Sequence, residues 1–175
     1  MRSKTMSFLS FFAIVIAVVA VIKAANWLPR LFQADTLQTY ASVEILKAKL
    51  NLKDLSVPSY FPQTVSWPPA RILGQARPAL DVFLVFNRTG ADEPVLTIRQ
   101  TSLPDKAVDP VIRLKDIRES VTYRLKNRNA FLEVGSCETG VECSRISWKE
   151  NDRTTTVAMK SPPFEVIKIA ESMIR

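Results

Sequence analysis

Residues 8–22 read Phe-Leu-Ser-Phe-Phe-Ala-Ile-Val-Ile-Ala-Val-Val-Ala-Val-Ile, with no charge, Gly or Pro in the stretch. Such a segment is poorly accommodated by water at a chain terminus and finds its favourable setting in a bilayer. Arg2 and Lys4 precede it, Lys23 closes it, and Trp27 stands where an interfacial aromatic anchors a spanning helix. A span needs about 20 residues at 1.5 Å each, which Ser7 and residues 24–28 supply if Lys23 snorkels to the interface. The alternative is a cleaved secretory leader with a small-residue site at Val18-Val19-Ala20 or after Ala25. The first site falls inside the apolar run, and the second puts Lys23 at a disfavoured upstream position. No Cys follows the run, which excludes lipidation at a leader cysteine. Residues 1–30 are therefore expected to form a membrane anchor.

Charge alone does not orient that anchor, because Arg2, Lys4 and the terminal amine face Lys23 and Arg30 across it. The two cysteines decide the matter. Cys137 and Cys143 sit in a stretch that reads as a loop between strands, and an extracytoplasmic disulfide is the natural pairing. Two structural thiols are the alternative. A zinc tetrahedron is out of reach, since the chain has no His and no third Cys. The spacing is also not that of a redox motif. A disulfide implies a cytosolic N-terminus and an extracytoplasmic C-terminal domain.

Behind the anchor, residues 31–56 suggest a helix capped by Asp35 or Thr36 and running to about Leu52, either a stalk or a helix packed on the domain. Residues 57–175 form the expected domain. Prolines 58, 62, 68 and 69 force extended backbone, and Ala70 to Gln75 reads as a helical turn or two stopped at Gly74. Strands follow at Asp81–Asn87 and 94–102, paired as a hairpin, then at 120–126 and 130–134 around a turn at Asn127-Arg128-Asn129. Two more are expected at 144–149 and 154–160, with Ile146, Trp148, Val157 and Met159 inward. Residues 103–119 read as irregular. Ser161 and Pro162 start a last helix whose stripe of Val166, Ile169, Ala170 and Met173 should lie across the sheet. The expected fold class is thus α+β: an N-terminal transmembrane helix, then an antiparallel sheet of about six strands covered on one face by helices.

Catalytic signals are missing. The usual general base is absent with His, and there is no S-x-x-K, G-x-S-x-G or Gly-rich phosphate loop. Glu133, Glu138 and Glu142 form the one formal carboxylate grouping, which reads as solvated loop charge. No enzyme activity, cofactor or metal is expected. Taking Arg2 and Lys4 from the 24 basic residues leaves 22 against 17 acidic ones, a net charge of +5 for the remainder. That balance favours anionic neighbours, and no nucleic-acid motif directs it to DNA or RNA. The sharpest candidate for anion or partner binding is a basic ridge of Arg124, Lys126 and Arg128, with Arg113, Lys115 and Arg118 upstream.

Residues 146–151, Ile-Ser-Trp-Lys-Glu-Asn, are followed by Ser161-Pro162-Pro163-Phe164-Glu165 and by Ile167-Lys168-Ile169-Ala170-Glu171-Ser172. This ending resembles a family of uncharacterised bacterial membrane-anchored domains that reads W-x-E-x-G, a strand, then a helix closing on I-A-x-S. The family is grouped with outer-membrane lipoprotein carriers and anti-sigma-factor-associated periplasmic sensors. Tyr60-Phe61-Pro62 is similar to its earlier Y-L-P element, while Asp152 stands where its glycine is usual. The resemblance implies an extracytoplasmic sheet-and-helix domain and carries over no catalytic residue. Two functions fit these observations: a non-enzymatic envelope protein that binds a protein or anionic envelope component, and a lipid or lipoprotein chaperone with an acyl-chain cavity between sheet and helix.

Overall fold

The computed structural model describes residues 16, 18, 19 and 23, and residues 37–174 except 53, 78 and 104–110. Met1–Thr36 and Leu37–Arg175 are two separate compact units. The second is built on one antiparallel sheet of eight strands in the order β1-β2-β3-β4-β8-β7-β6-β5. These are β1 (Gln38–Thr39), β2 (Arg71–Gln75), β3 (Asp81–Asn87), β4 (Pro94–Thr101), β5 (Leu114–Leu125), β6 (Arg128–Cys137), β7 (Glu142–Glu150) and β8 (Arg153–Met159). Two helices complete it, α1 (Val43–Leu50) and α2 (Pro163–Met173).

This architecture corrects the expected one. The sheet has eight strands rather than six, and among the described residues no helix is long and apolar enough to cross a membrane. Most of the anchor predicted at residues 1–30 lies outside the described residues. The helix expected from Asp35 or Thr36 begins later, because Gln38 and Thr39 pair with Gly74 and Leu73 as an edge strand. Ser42 is the cap, its Oγ accepting from Ile45 N at 3.2 Å, and Asn51 ends the helix in the left-handed region at φ 52°. Residues 71–75, read as a helical turn, form β2, whose ladder to β3 carries Ile72 to Leu84 and Gly74 to Val82. Gly74 is needed there for space. A β-carbon on it would stand 2.6 Å from Leu46 Cδ1 and 3.1 Å from Leu50 Cδ1, so its absence lets α1 lie on β2. Ser161 makes no cap; Pro162 stands at the N-cap of α2, without a side-chain hydrogen bond.

Register explains the core. One row of cross-strand neighbours runs Ile72, Leu84, Ile98, Val157, Ile146, Leu132, Val121 from β2 to β5. Parallel to it run Phe86, Leu96 and Met159. These residues share a face by the two-residue period of a strand. Val43 and Leu46 of α1 and the predicted stripe Val166, Ile169, Ala170 and Met173 of α2 join the same buried cluster. The expected hairpin at 81–87 and 94–102 is present as Asp81–Asn87 and Pro94–Thr101, buried on both faces, and the set Ile146, Trp148, Val157 and Met159 is inward as alternation indicates.

The opposite face is uneven. At β3 and β4 it is sealed, with Phe83, Val85, Thr97, Arg99 and Asp81 all buried. Further across, Ile112 packs with Cys137, Cys143 and Ala158. The two cysteines form a disulfide at the β6–β7 hairpin, with Cα atoms 5.6 Å apart. Beyond them, at β5, β6 and β7, the face opens to solvent.

Candidate binding face

The open end is set by the β5–β6 hairpin. Lys126 takes the left-handed conformation at φ 52°, so the chain reverses over Lys126 and Asn127 and β6 starts at Arg128, inside the turn expected at 127–129. This dismantles the predicted ridge. Arg128 pairs with Glu150 across the sheet. Lys126 Nζ donates to the carbonyl of Ile174 at 2.6 Å, tying the hairpin to the end of α2. Arg118 pairs with Glu142 at 3.4 Å and Arg113 with Glu138 at 4.0 Å. Lys115 is exposed in the part of β5 where the register shifts. Arg124 is left exposed and, among the described residues, has no ion-pair partner.

The carboxylates are dispersed in the same way. Glu133 accepts from Arg145 Nε at 2.7 Å, while Glu138 and Glu142 go to the two arginines just named. Among the described residues, no group of three or more His, Cys, Asp or Glu gathers as a metal site would require.

What the register brings to Arg124 comes from other strands. Arg124 stands opposite Asn129, and Thr122 opposite Phe131, which faces Ser147 on its other side. Thr122, Asn129, Phe131, Ser147, Lys149 and Thr154 line a shallow open groove of about 280 Å³. Phe131 is 45% exposed at its centre. Lys149 is exposed and, like Arg124, has no ion-pair partner among the described residues. The groove thus sets an exposed ring among hydroxyl and amide side chains, with Lys149 in its lining and Arg124 on the same sheet face, opposite Asn129. These side chains offer apolar contact, hydrogen bonding and attraction for negative charge. Sequence reasoning passed over Phe131 and Lys149, although both fall on the polar side of their strands' alternation, where an aromatic is out of place.

A second exposed aromatic site is already partnered from within. Lys168 Nζ lies 4.1 Å from the Phe164 ring centroid and 5.6 Å from that of Tyr60. Tyr60 Oη donates to Glu165 Oε2 at 2.9 Å, and that bond to a carboxylate raises the phenol's pKa above its ordinary value.

The chain matches no protein-family model, no curated protein and no solved structure.

Proposed function

We propose that this protein is a non-enzymatic accessory domain of the bacterial cell envelope. It binds an acidic partner on the open face at β5, β6 and β7. The observation that carries the reading is Phe131: a large apolar ring on the polar face of the sheet, 45% exposed, on the same face as Arg124 and Lys149, two cations with no ion-pair partner among the described residues. Aromatic and arginine side chains are enriched in recognition surfaces. Burying that ring under a partner removes apolar surface from water, while the two cations select for negative charge and steer the encounter.

The proposed location is extracytoplasmic. Its support is the disulfide, a bond that persists in oxidising compartments, together with the apolar leader and the resemblance of residues 146–172 to membrane-anchored envelope domains. No observation favours the lipid-chaperone reading: Leu46, Ile146, Val166 and Ile169 are packed in one buried cluster between sheet and helices.

The test is charge reversal. In cells, Arg124→Glu with Lys149→Glu abolishes co-purification of the partner and leaves the urea midpoint of the domain unchanged. Partner recovery equal to wild type excludes this face. Alkaline phosphatase fused after Arg175 is active in living cells under this placement and inactive if the domain stays in the cytosol.

A further inference from the structure

We propose that β5 is a receptor strand, taking up an extended segment of an acidic partner polypeptide as a ninth strand along Ser120–Leu125. The proposal rests on the reading of this end of the sheet as the binding face and states how the partner is held.

The two edges of the sheet differ greatly. β1 ends one side with two residues, whereas β5 ends the other with twelve. An edge strand presents a row of backbone N–H and C=O groups that a further strand can pair with, and proteins blunt such edges with bulges and charges. β5 is blunted in one half only. Its register against β6 shifts between Leu114 and Asp116 and again between Ile117 and Glu119, and Lys115, Asp116, Arg118 and Glu119 crowd the same half. From Ser120 to Leu125 the register is unbroken, one charge remains, and there is no proline. Ser120, Val121, Thr122 and Arg124 are exposed, while Leu125 is buried in the core. Six residues of strand offer about 20 Å of pairing edge.

The core row runs out at this edge. Ile72, Leu84, Ile98, Val157, Ile146 and Leu132 are each no more than 7% exposed, and the seventh member, Val121, is 49% exposed. Tyr123, next on the same face, is half-buried. One more strand with apolar side chains on that face would continue the row and cover Val121. On the other face the strand would pass Arg124, where an acidic residue has a free cation to meet, since Glu150 is engaged by Arg128 and Glu133 by Arg145. The occupant is thus a segment that alternates apolar and acidic residues. A second copy of this chain matches less well. Antiparallel self-pairing centred on Val121 puts Arg124 opposite Arg118 of the other copy, and centring on Thr122 puts it opposite Ser120; centring on Ser120 brings it to Asp116, but only by running the pairing through the bulged half of β5.

The experiment uses the full chain in detergent and a labelled synthetic peptide of alternating Val and Glu. Two comparison peptides accompany it, one with Pro in its middle and one with Lys in place of Glu. Binding is read by fluorescence anisotropy, and its location by amide hydrogen exchange. The Val/Glu peptide binds and slows exchange within Ser120–Leu125, the Pro-containing peptide binds at least about tenfold more weakly, and Arg124→Glu transfers preference to the Val/Lys peptide. Equal binding of the Pro-containing peptide, or unslowed exchange within Ser120–Leu125, overturns strand addition. So does self-association of the chain that slows those same amides. If strand addition fails in these ways while Arg124→Glu still weakens the Val/Glu peptide, the acidic-partner reading stands. If neither Arg124→Glu nor Phe131→Ala changes binding, that reading falls as well.

Discussion

Arg99 holds both carboxylate oxygens of Asp81, Nε to Oδ1 at 2.8 Å and Nη2 to Oδ2 at 2.7 Å, while its guanidinium lies 4.7 Å from the centroid of the Phe83 ring. Both side chains are buried. A charge left without its partner in such a setting is costly, whereas removing both is far less so. Arg99→Leu is expected to lower unfolding free energy by about 3–5 kcal/mol, and Arg99→Leu with Asp81→Leu to recover most of the loss. Urea unfolding of the three proteins checks this; a double variant as unstable as the single one contradicts it.

The disulfide closes a short loop in a hairpin that β5 and β8 both lean on. Cys137 N donates to Val141 O and Gly140 N to Cys137 O, each at 2.8 Å, so the loop is already ordered in the folded state. Its contribution lies in the unfolded chain, about 2.4 kcal/mol for a closed loop of this size. Cys137→Ser with Cys143→Ala should lower the urea midpoint accordingly. Added reductant should shift the wild-type midpoint and leave that of the double variant where it is.

Gly135 sits under the bulged part of β5, where a β-carbon would overlap the carbonyl oxygen of Asp116. Backbone cannot move aside as a flexible side chain does. Gly135→Ala is expected to cost about 1–3 kcal/mol, with loss of amide protection at Leu114 to Glu119 before the rest of the sheet opens. Gly74→Ala meets instead the side-chain tips of Leu46 and Leu50 and should be the milder of the two.

Stability at the acid end should depend on Glu93. Lys160 donates to its Oε1 and Arg88 to its Oε2, both at 3.0 Å, and these bonds, the lysine's foremost, lower its pKa. A carboxyl whose folded pKa is depressed adds stability that is complete above the ordinary carboxylate range and is lost as pH falls through the depressed folded value. Glu93→Gln should therefore flatten the acid limb of a stability-against-pH curve. Tyr60 works in the opposite sense at the alkaline end: its raised pKa adds stability that is complete below the ordinary phenol value and fades as pH rises through the raised one. Unfolding midpoints of Glu93→Gln and Tyr60→Phe across pH check both signs.

Much of the sheet was legible in the sequence because one face of it is continuous core. Asp81–Asn87 follows from its continuous apolar run, the inward pairs of β7 and β8 from alternation, and the stripe of α2 from helical spacing. The failures have local causes. Pro68 and Pro69 before Arg71 resemble a helix start, but the segment extends because Gly74 must pass beneath Leu46, a contact no local pattern reveals. The first half of β5 was unreadable because two bulges break the two-residue period. The basic ridge was visible as a string of charges, but hairpin geometry spends Lys126 on Ile174 and Arg128 on Glu150, leaving Arg124. The groove partners of Arg124 lie on β6 and β7, and only the register joins them.

The most direct test of the binding face compares two exposed rings on one domain. A photo-crosslinking phenylalanine analogue is placed at Phe131 in one strain and at Phe164, 61% exposed and already engaged by Lys168, in another. Irradiation of living cells should yield a discrete crosslinked partner from position 131 that disappears with Arg124→Glu, and none from position 164. A crosslink from position 164 alone, or one from position 131 that survives Arg124→Glu, would contradict the account.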